Sequence, residues 1–293
     1  MTFSEGGSFE GGRVSSRRGG AIAGGGAGLL GIVGFLIYQF TGVNVGPALE
    51  SLEGAGGGGQ QQESVIEDCT AEEANTQRDC RLSATIQSLD AFWSEEVTAA
   101  GGQFAQPQVV EFQQGTTTGC GEASSSTGPF YCPPDQGIYI DLGFYDLLQS
   151  RFGAAGGPLP EMYVTAHEYG HHIQNITGVM ASADRGGAGA DSDSVRIELQ
   201  ADCYAGMWTR DAVTRVDPDT GTVFLQPITD DQLADALSAA AAVGDDHIQQ
   251  QSGGGVDPHT WTHGSSEQRQ NWFATGYNEG SLAACDTFAA NDL

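Results

Sequence analysis

Lysine is absent from all 293 residues, which leaves arginine as the only fixed cation, 11 residues against 38 aspartates and glutamates. The formal charge is −27, and all but two of the acidic side chains lie beyond residue 42. A surface this acidic repels phosphate backbones, so nucleic acid is excluded as a partner and any charge-driven partner is cationic. No Cys-x-x-Cys pair occurs, which argues against a cysteine-rich zinc site. The 6 cysteines, all beyond residue 42, suit disulfides in an oxidising compartment. Their order suggests Cys69 with Cys80, Cys120 with Cys132 and Cys203 with Cys285, one of the many connectivities six cysteines permit.

Charge is also missing from Ala21 to Phe40, and at about 1.5 Å per residue that helix would just cross a bilayer. Arg13, Arg17 and Arg18 precede the run and the next basic residue is Arg78, so the positive-inside rule leaves the N-terminus in the cytoplasm. No Ala-x-Ala site follows, which disfavours a cleaved signal peptide. The expected organisation is a cytoplasmic tail at 1–20, a transmembrane anchor at 21–41, a Gly- and Gln-rich flexible linker at 42–64 and an extracytoplasmic domain at 65–293. Oligomeric state is not indicated.

Within that domain the pattern is helical from Thr70 to about Ala100, with an apolar stripe of Leu82, Ile86, Leu89, Phe92 and Trp93. Val109 to Phe112 reads as a short strand and Gly115 to Gly128 as a Gly/Thr/Ser-rich excursion. Gly137 to Leu142 alternates as a strand does, placed where an edge strand could pair with an extended peptide. Phe144 to Phe152 is a short helix. Glu161 opens a longer one that stops near Gly178. Thr229 with Gln232 and Ser265 with Gln268 form capping boxes at the starts of two later helices. The fold class is α+β, mainly helical with a small sheet, preceded by one transmembrane helix.

The longer helix carries His167-Glu168-Tyr169-Gly170-His171, a His-Glu-x-x-His pattern. Residues four apart share a helix face, so His167 and His171 can offer two imidazoles to one zinc ion, with Glu168 toward its water. A hydrolytic zinc takes a third protein ligand. The extended pattern with a third histidine would need Gly at Gln174 and His at Thr177, and neither is present. An acidic residue on a second helix is the next candidate: Glu198, with Asp202 four residues on to hold the outer nitrogen of a ligating histidine. Small Ala201, Ala205 and Gly206 would let the two helices approach. His263, just before the Ser265 cap, can stabilise an oxyanion or supply a proton, with Tyr169 as another oxyanion candidate and His259 a weaker one. His172 reads as a neighbour of the site and His247 as a surface residue.

Several of these stretches stand in an order that resembles the bacterial "putative neutral zinc metallopeptidase" family. They are Cys120-Gly121, Gly128 to Pro133, Tyr139 to Leu142, the motif at 167–171, Glu198 to Cys203, Thr262 to Ser265 and Cys285 to Phe288. The resemblance runs from about residue 65 to the end, plus the N-terminal anchor. It implies a zincin-like fold, Zn2+ held by His167, His171 and Glu198, and peptide-bond hydrolysis with Glu168 as base. A peptide or protein is then the substrate. The competing expectation is a noncatalytic zinc-stabilised envelope domain that binds protein partners.

Overall fold

Alternation along Val109-Val110 and Ile138-Tyr139-Ile140 sends side chains to both faces of a sheet, and all five are at most 2% exposed. The computed structural model describes residues 2–9, 12–18, 62–125, 127–253 and 255–293. Its strands are β1 (Ser8–Phe9), β2 (Val14–Arg18), β3 (Gln62–Val65), β4 (Cys69–Thr70), β5 (Gln108–Phe112), β6 (Gly115–Thr118), β7 (Gly121–Ser124), β8 (Phe130–Cys132) and β9 (Gly137–Ile140). Its helices are α1 (Ala71–Thr76), α2 (Arg78–Ala99), α3 (Phe144–Phe152), α4 (Pro158–Ile176), α5 (Val179–Ser182), α6 (Asp193–Ala212), α7 (Asp230–Ala242), α8 (Asp245–Gln251) and α9 (Ser266–Glu279). The architecture is α+β and mainly helical, with a five-stranded sheet in the order β3-β2-β5-β9-β8. Strands β2, β5 and β9 run parallel, and β3 and β8 close the two edges antiparallel.

One sheet face carries Val109, Ile138 and Ile140 into the helical core. The other buries Val110, Phe112, Phe130 and Tyr139 with Ala123 of β7, which pairs with β6 as a hairpin. The excursion expected at 115–128 is this hairpin, stapled to β8 by Cys120–Cys132. Cys69–Cys80 and Cys203–Cys285 complete the pairing suggested by cysteine order.

Three expectations are corrected. Residues 2–18 are not a tail. Phe3, Phe9 and Val14 are at most 1% exposed, and β2 lies between β3 and β5. The domain therefore begins near residue 2, and Gln62 to Ser64 belong to the sheet rather than to a linker. Because Arg18 pairs with Gln62, both ends of the intervening stretch sit on one side of the domain. The expected anchor at 21–41 lies outside the described residues, among which no helix is long and apolar enough to cross a membrane. Second, β9 is interior, and β8 takes the edge beside it. Third, the helix expected from Thr70 to Ala100 is broken at Gln77, whose extended backbone (φ −111°, ψ 132°) ends α1 and starts α2.

Charged partners fix the motif helix α4 in its first turn and near its middle. Arg78 and Arg81 of α2 grip Glu161 in its first turn at 2.8 and 2.6 Å. Farther along, the Tyr169 hydroxyl donates to Asp90 of α2 at 2.6 Å, and Arg13 of the N-terminal segment holds the same carboxylate. Gly170 lets α4 close on α6, since a Cβ there would sit 3.1 Å from the Cα of Ala201. Gly206 instead faces α9: a Cβ there would collide with the Phe273 carbonyl, and one on Gly276 with that of Cys203. Three helices thus meet along backbone-to-backbone contacts, and the motif residues lie between them.

Candidate metal centre

Four-residue spacing puts His167 and His171 on one face of α4, and α6 brings Glu198 against that face. His167 Nε2 lies 3.2 Å from Glu198 Oε2, and His171 Nε2 lies 3.2 Å from Glu198 Oε1. Two ligands about 2.1 Å from a tetrahedral zinc stand roughly 3.4 Å apart, so these spacings match a shared ion. Among the described residues this trio alone groups three potential ligand atoms within 4.8 Å of one another. Each of the three side chains is at most 6% exposed as a residue.

Tautomers support the same reading. His167 Nδ1 is 2.8 Å from Asp202 Oδ1, and His171 Nδ1 is 2.9 Å from Gln174 Oε1. Both partners accept, so each Nδ1 carries the proton and each Nε2 presents its lone pair to the ligand position. Gln174 is itself held: its Nε2 donates to the Ile197 carbonyl and to Gln200 Oε1. Gln200 in turn donates to the Cys285 carbonyl, so the chain of contacts behind His171 ends at the Cys203–Cys285 disulfide. The donor set, two imidazoles and one carboxylate backed by acceptors, fits zinc.

Before a metal binds, the neighbouring carboxylates favour charge on His167. Burial opposes charge on His167, yet Asp202 and Glu198 outweigh it and raise its pKa to about 10. Burial likewise opposes the Glu198 carboxylate, and the two histidines overcome it, holding it well below its ordinary value. Glu168 goes the other way, because burial dominates the attraction of His171 and His167 and raises it. A carboxylate pushed toward neutrality is suited to take and return a proton.

Glu168, His263 and Arg269 line the same cavity as the three ligand residues. His263 reaches it from the turn before α9. Its Nδ1 is 3.1 Å from Asp245 Oδ1, while Asp245 Oδ2 accepts from the backbone N–H of Thr262, His263 and Gly264 at 2.7, 2.7 and 3.1 Å. Asp202, expected behind a histidine, stands there, and it also accepts from Tyr163 at 2.5 Å and from Arg269 at 2.8 and 3.0 Å.

Other candidates fall elsewhere. Tyr169 points at Asp90, away from the cavity. His172 is fully buried against the Ala105 carbonyl and Tyr131, where burial lowers its pKa to about 4. His259 is exposed, and His247, half-buried, faces the Phe152 carbonyl at 2.9 Å. Asp245, Arg269, Gln174 and Tyr163 were not singled out by the sequence reading. Tyr163 had a signal there: it lies four residues before His167, on the motif face, whereas Tyr169 lies two after it, on the opposite side.

The profile of the family described as "Putative neutral zinc metallopeptidase" matches residues 3–288. An uncharacterized protein of Mycobacterium tuberculosis (strain H37Rv) is 50% identical over 224 residues, 76% of this chain and 75% of its own length. The uncharacterized protein YpfJ of Escherichia coli K12 is 40% identical over 211 residues, 70% of each chain. No solved structure matches.

Proposed function

The chain belongs to the putative neutral zinc metallopeptidase family, and from that premise we propose that it hydrolyses peptide bonds at a zinc ion held by His167, His171 and Glu198. The observation that carries the reading is the convergence of three donor atoms, with both outer nitrogens engaged, in a cavity that also presents Glu168. Bound zinc supplies a Lewis acid that acidifies water and polarises a peptide carbonyl. Glu168 takes the proton from the attacking water and returns it to the departing amine. Asp202 and Gln174 keep the imidazoles in the tautomer and orientation that ligation needs. His263 donates a hydrogen bond to the carbonyl oxygen as negative charge develops there, and Asp245 orients it.

The protonation of His263 gives this reading a test. Burial opposes its charge, the Asp245 carboxylate outweighs burial, Glu198 adds to the rise and Arg269 opposes it, leaving the pKa raised. A hydrogen-bond donor of this kind works while protonated, so cleavage fails as pH rises through that raised value. Asp245→Asn removes the largest raising influence. The alkaline limb of kcat/KM for a peptide substrate should then move to lower pH, with cleavage on the alkaline side falling below that of the unmodified chain. Chelator-insensitive cleavage would sink the zinc assignment, and an unmoved limb would remove His263 from the mechanism.

A further inference from the structure

The ionisable members of the cavity are almost wholly buried, while most of the surface its wall leaves open to a ligand is apolar. Phe144 and Phe152, at the two ends of α3, are half-buried, as are Val243 at the end of α7 and Ile248 on α8. Val164 sits three residues before His167, on the motif face of α4, and Phe130 opens the edge strand β8 on another side. Gly128 brings that segment close to α3, since a Cβ there would meet the Phe144 ring at 3.1 Å.

In a chain of formal charge −27, this wall offers a ligand phenylalanine, valine and isoleucine side chains. The large hydrophobic side chains most exposed among the described residues, Val65, Val216, Val256 and Phe288, lie outside the cavity. The ionisable lining residues are paired with one another or with a neighbour, apart from Glu168, the proposed base. Arg269 is paired with Asp202, Glu198 faces the histidines, and His263 is paired with Asp245. The cavity volume is ≈ 130 Å³. For scale, an apolar cavity of about 150 Å³ takes up benzene.

We propose that this wall is the specificity pocket of the site. It admits one leucine- or phenylalanine-sized side chain from the substrate residue on one side of the scissile bond, and Ile248 and Phe152 set its size. The substrate class is thus peptides with a large aliphatic or phenyl side chain at that position, and tryptophan is too large. The proposal rests on the peptidase reading for the word scissile, but the pocket's preference can be read without turnover. Ile248 shares helix α8 with Asp245, three residues away, so the segment that measures the side chain also orients His263.

Two measurements test it. Zinc-loaded chain is incubated with a synthetic peptide mixture and the products are sequenced by mass spectrometry. Separately, Glu168→Gln chain is titrated calorimetrically with blocked peptides that differ only in leucine, phenylalanine, alanine or tryptophan at one position. The expected results are Leu, Phe, Met or Ile beside the cut on a constant side, with kcat/KM on the order of 100-fold above alanine, and tighter binding of leucine and phenylalanine peptides. Ile248→Trp should narrow the phenylalanine-to-alanine ratio at least tenfold in both measurements. Phe152→Ala, which enlarges the pocket, should admit tryptophan, and it serves as a second variant if Ile248→Trp fails to fold. Glu168-dependent cleavage with no flanking preference, or with a charged one, overturns the pocket and leaves the peptidase reading standing. No cleavage, together with leucine-selective binding that Ile248→Trp abolishes, supports the pocket and overturns the peptidase reading. No cleavage and no selectivity overturns both.

Discussion

Glu168→Gln is expected to keep a full equivalent of zinc and to lose peptide cleavage by about 10³-fold in kcat. Glutamine has the same size and can still hold a water by hydrogen bonds, but it cannot accept a proton at neutral pH. Glu168 ligates nothing in the trio, so the metal centre should stay intact. Its burial, only 8% exposed, and its raised pKa are what a shuttling carboxylate requires. The check is kcat under zinc saturation beside metal content by mass spectrometry. Wild-type turnover in this variant would mean that another group moves the proton.

Arg269→Met, which replaces no ligand but removes a guanidinium 3.3 Å from His167 Nδ1 and 3.9 Å from Glu198 Oε2, is expected to lower the melting temperature by roughly 10 °C. The guanidinium is 4% exposed and forms a two-point pair with Asp202, which is 0% exposed. Burial works against charge on Asp202, and Arg269 first, then His167, overcome it and hold its pKa down. Removing the cation strands a buried carboxylate, at a cost of about 3–5 kcal/mol. For a domain of this size each kcal/mol moves the melting point by about 2–4 °C. Arg269→Met combined with Asp202→Asn should recover part of the loss, because the two substitutions act on one interaction. A melting temperature of Arg269→Met within about 2 °C of wild type would show that Asp202 does not depend on Arg269.

Short-range pattern made much of this site readable before the structure. His167 and His171 share a face by helical spacing, as do Glu198 and Asp202, and with no histidine at Thr177 an acidic residue is the next candidate ligand. The caps at Thr229 and Ser265 are local chemistry and stand as expected, each with its reciprocal hydrogen bonds. What stayed hidden depends on partners far along the chain. Residues 2–18 hold few apolar side chains, Phe3, Phe9 and Val14 among them, and their burial depends on distant partners: Val14 pairs with Val109 of β5, Phe9 with Cys69 of β4 and Phe3 with Leu225. The interior place of β9 required β8 to fold back on it, and no local signal distinguishes an edge strand from its neighbour. Asp245 sits in a Gly-Asp-Asp-His stretch that reads as surface, yet it is 18 residues from the histidine it holds. Arg269, 67 residues from Asp202, reads locally as one more solvated helix position.

The most direct test follows zinc and peptide cleavage together on one preparation of the chain as a chelator removes the metal and added zinc returns it. One zinc per chain is predicted, with cleavage falling and recovering in proportion to occupancy, and Glu198→Ala should show neither zinc nor cleavage. Cleavage that persists after zinc has been stripped, or a fully loaded chain that cuts no peptide, would contradict the account.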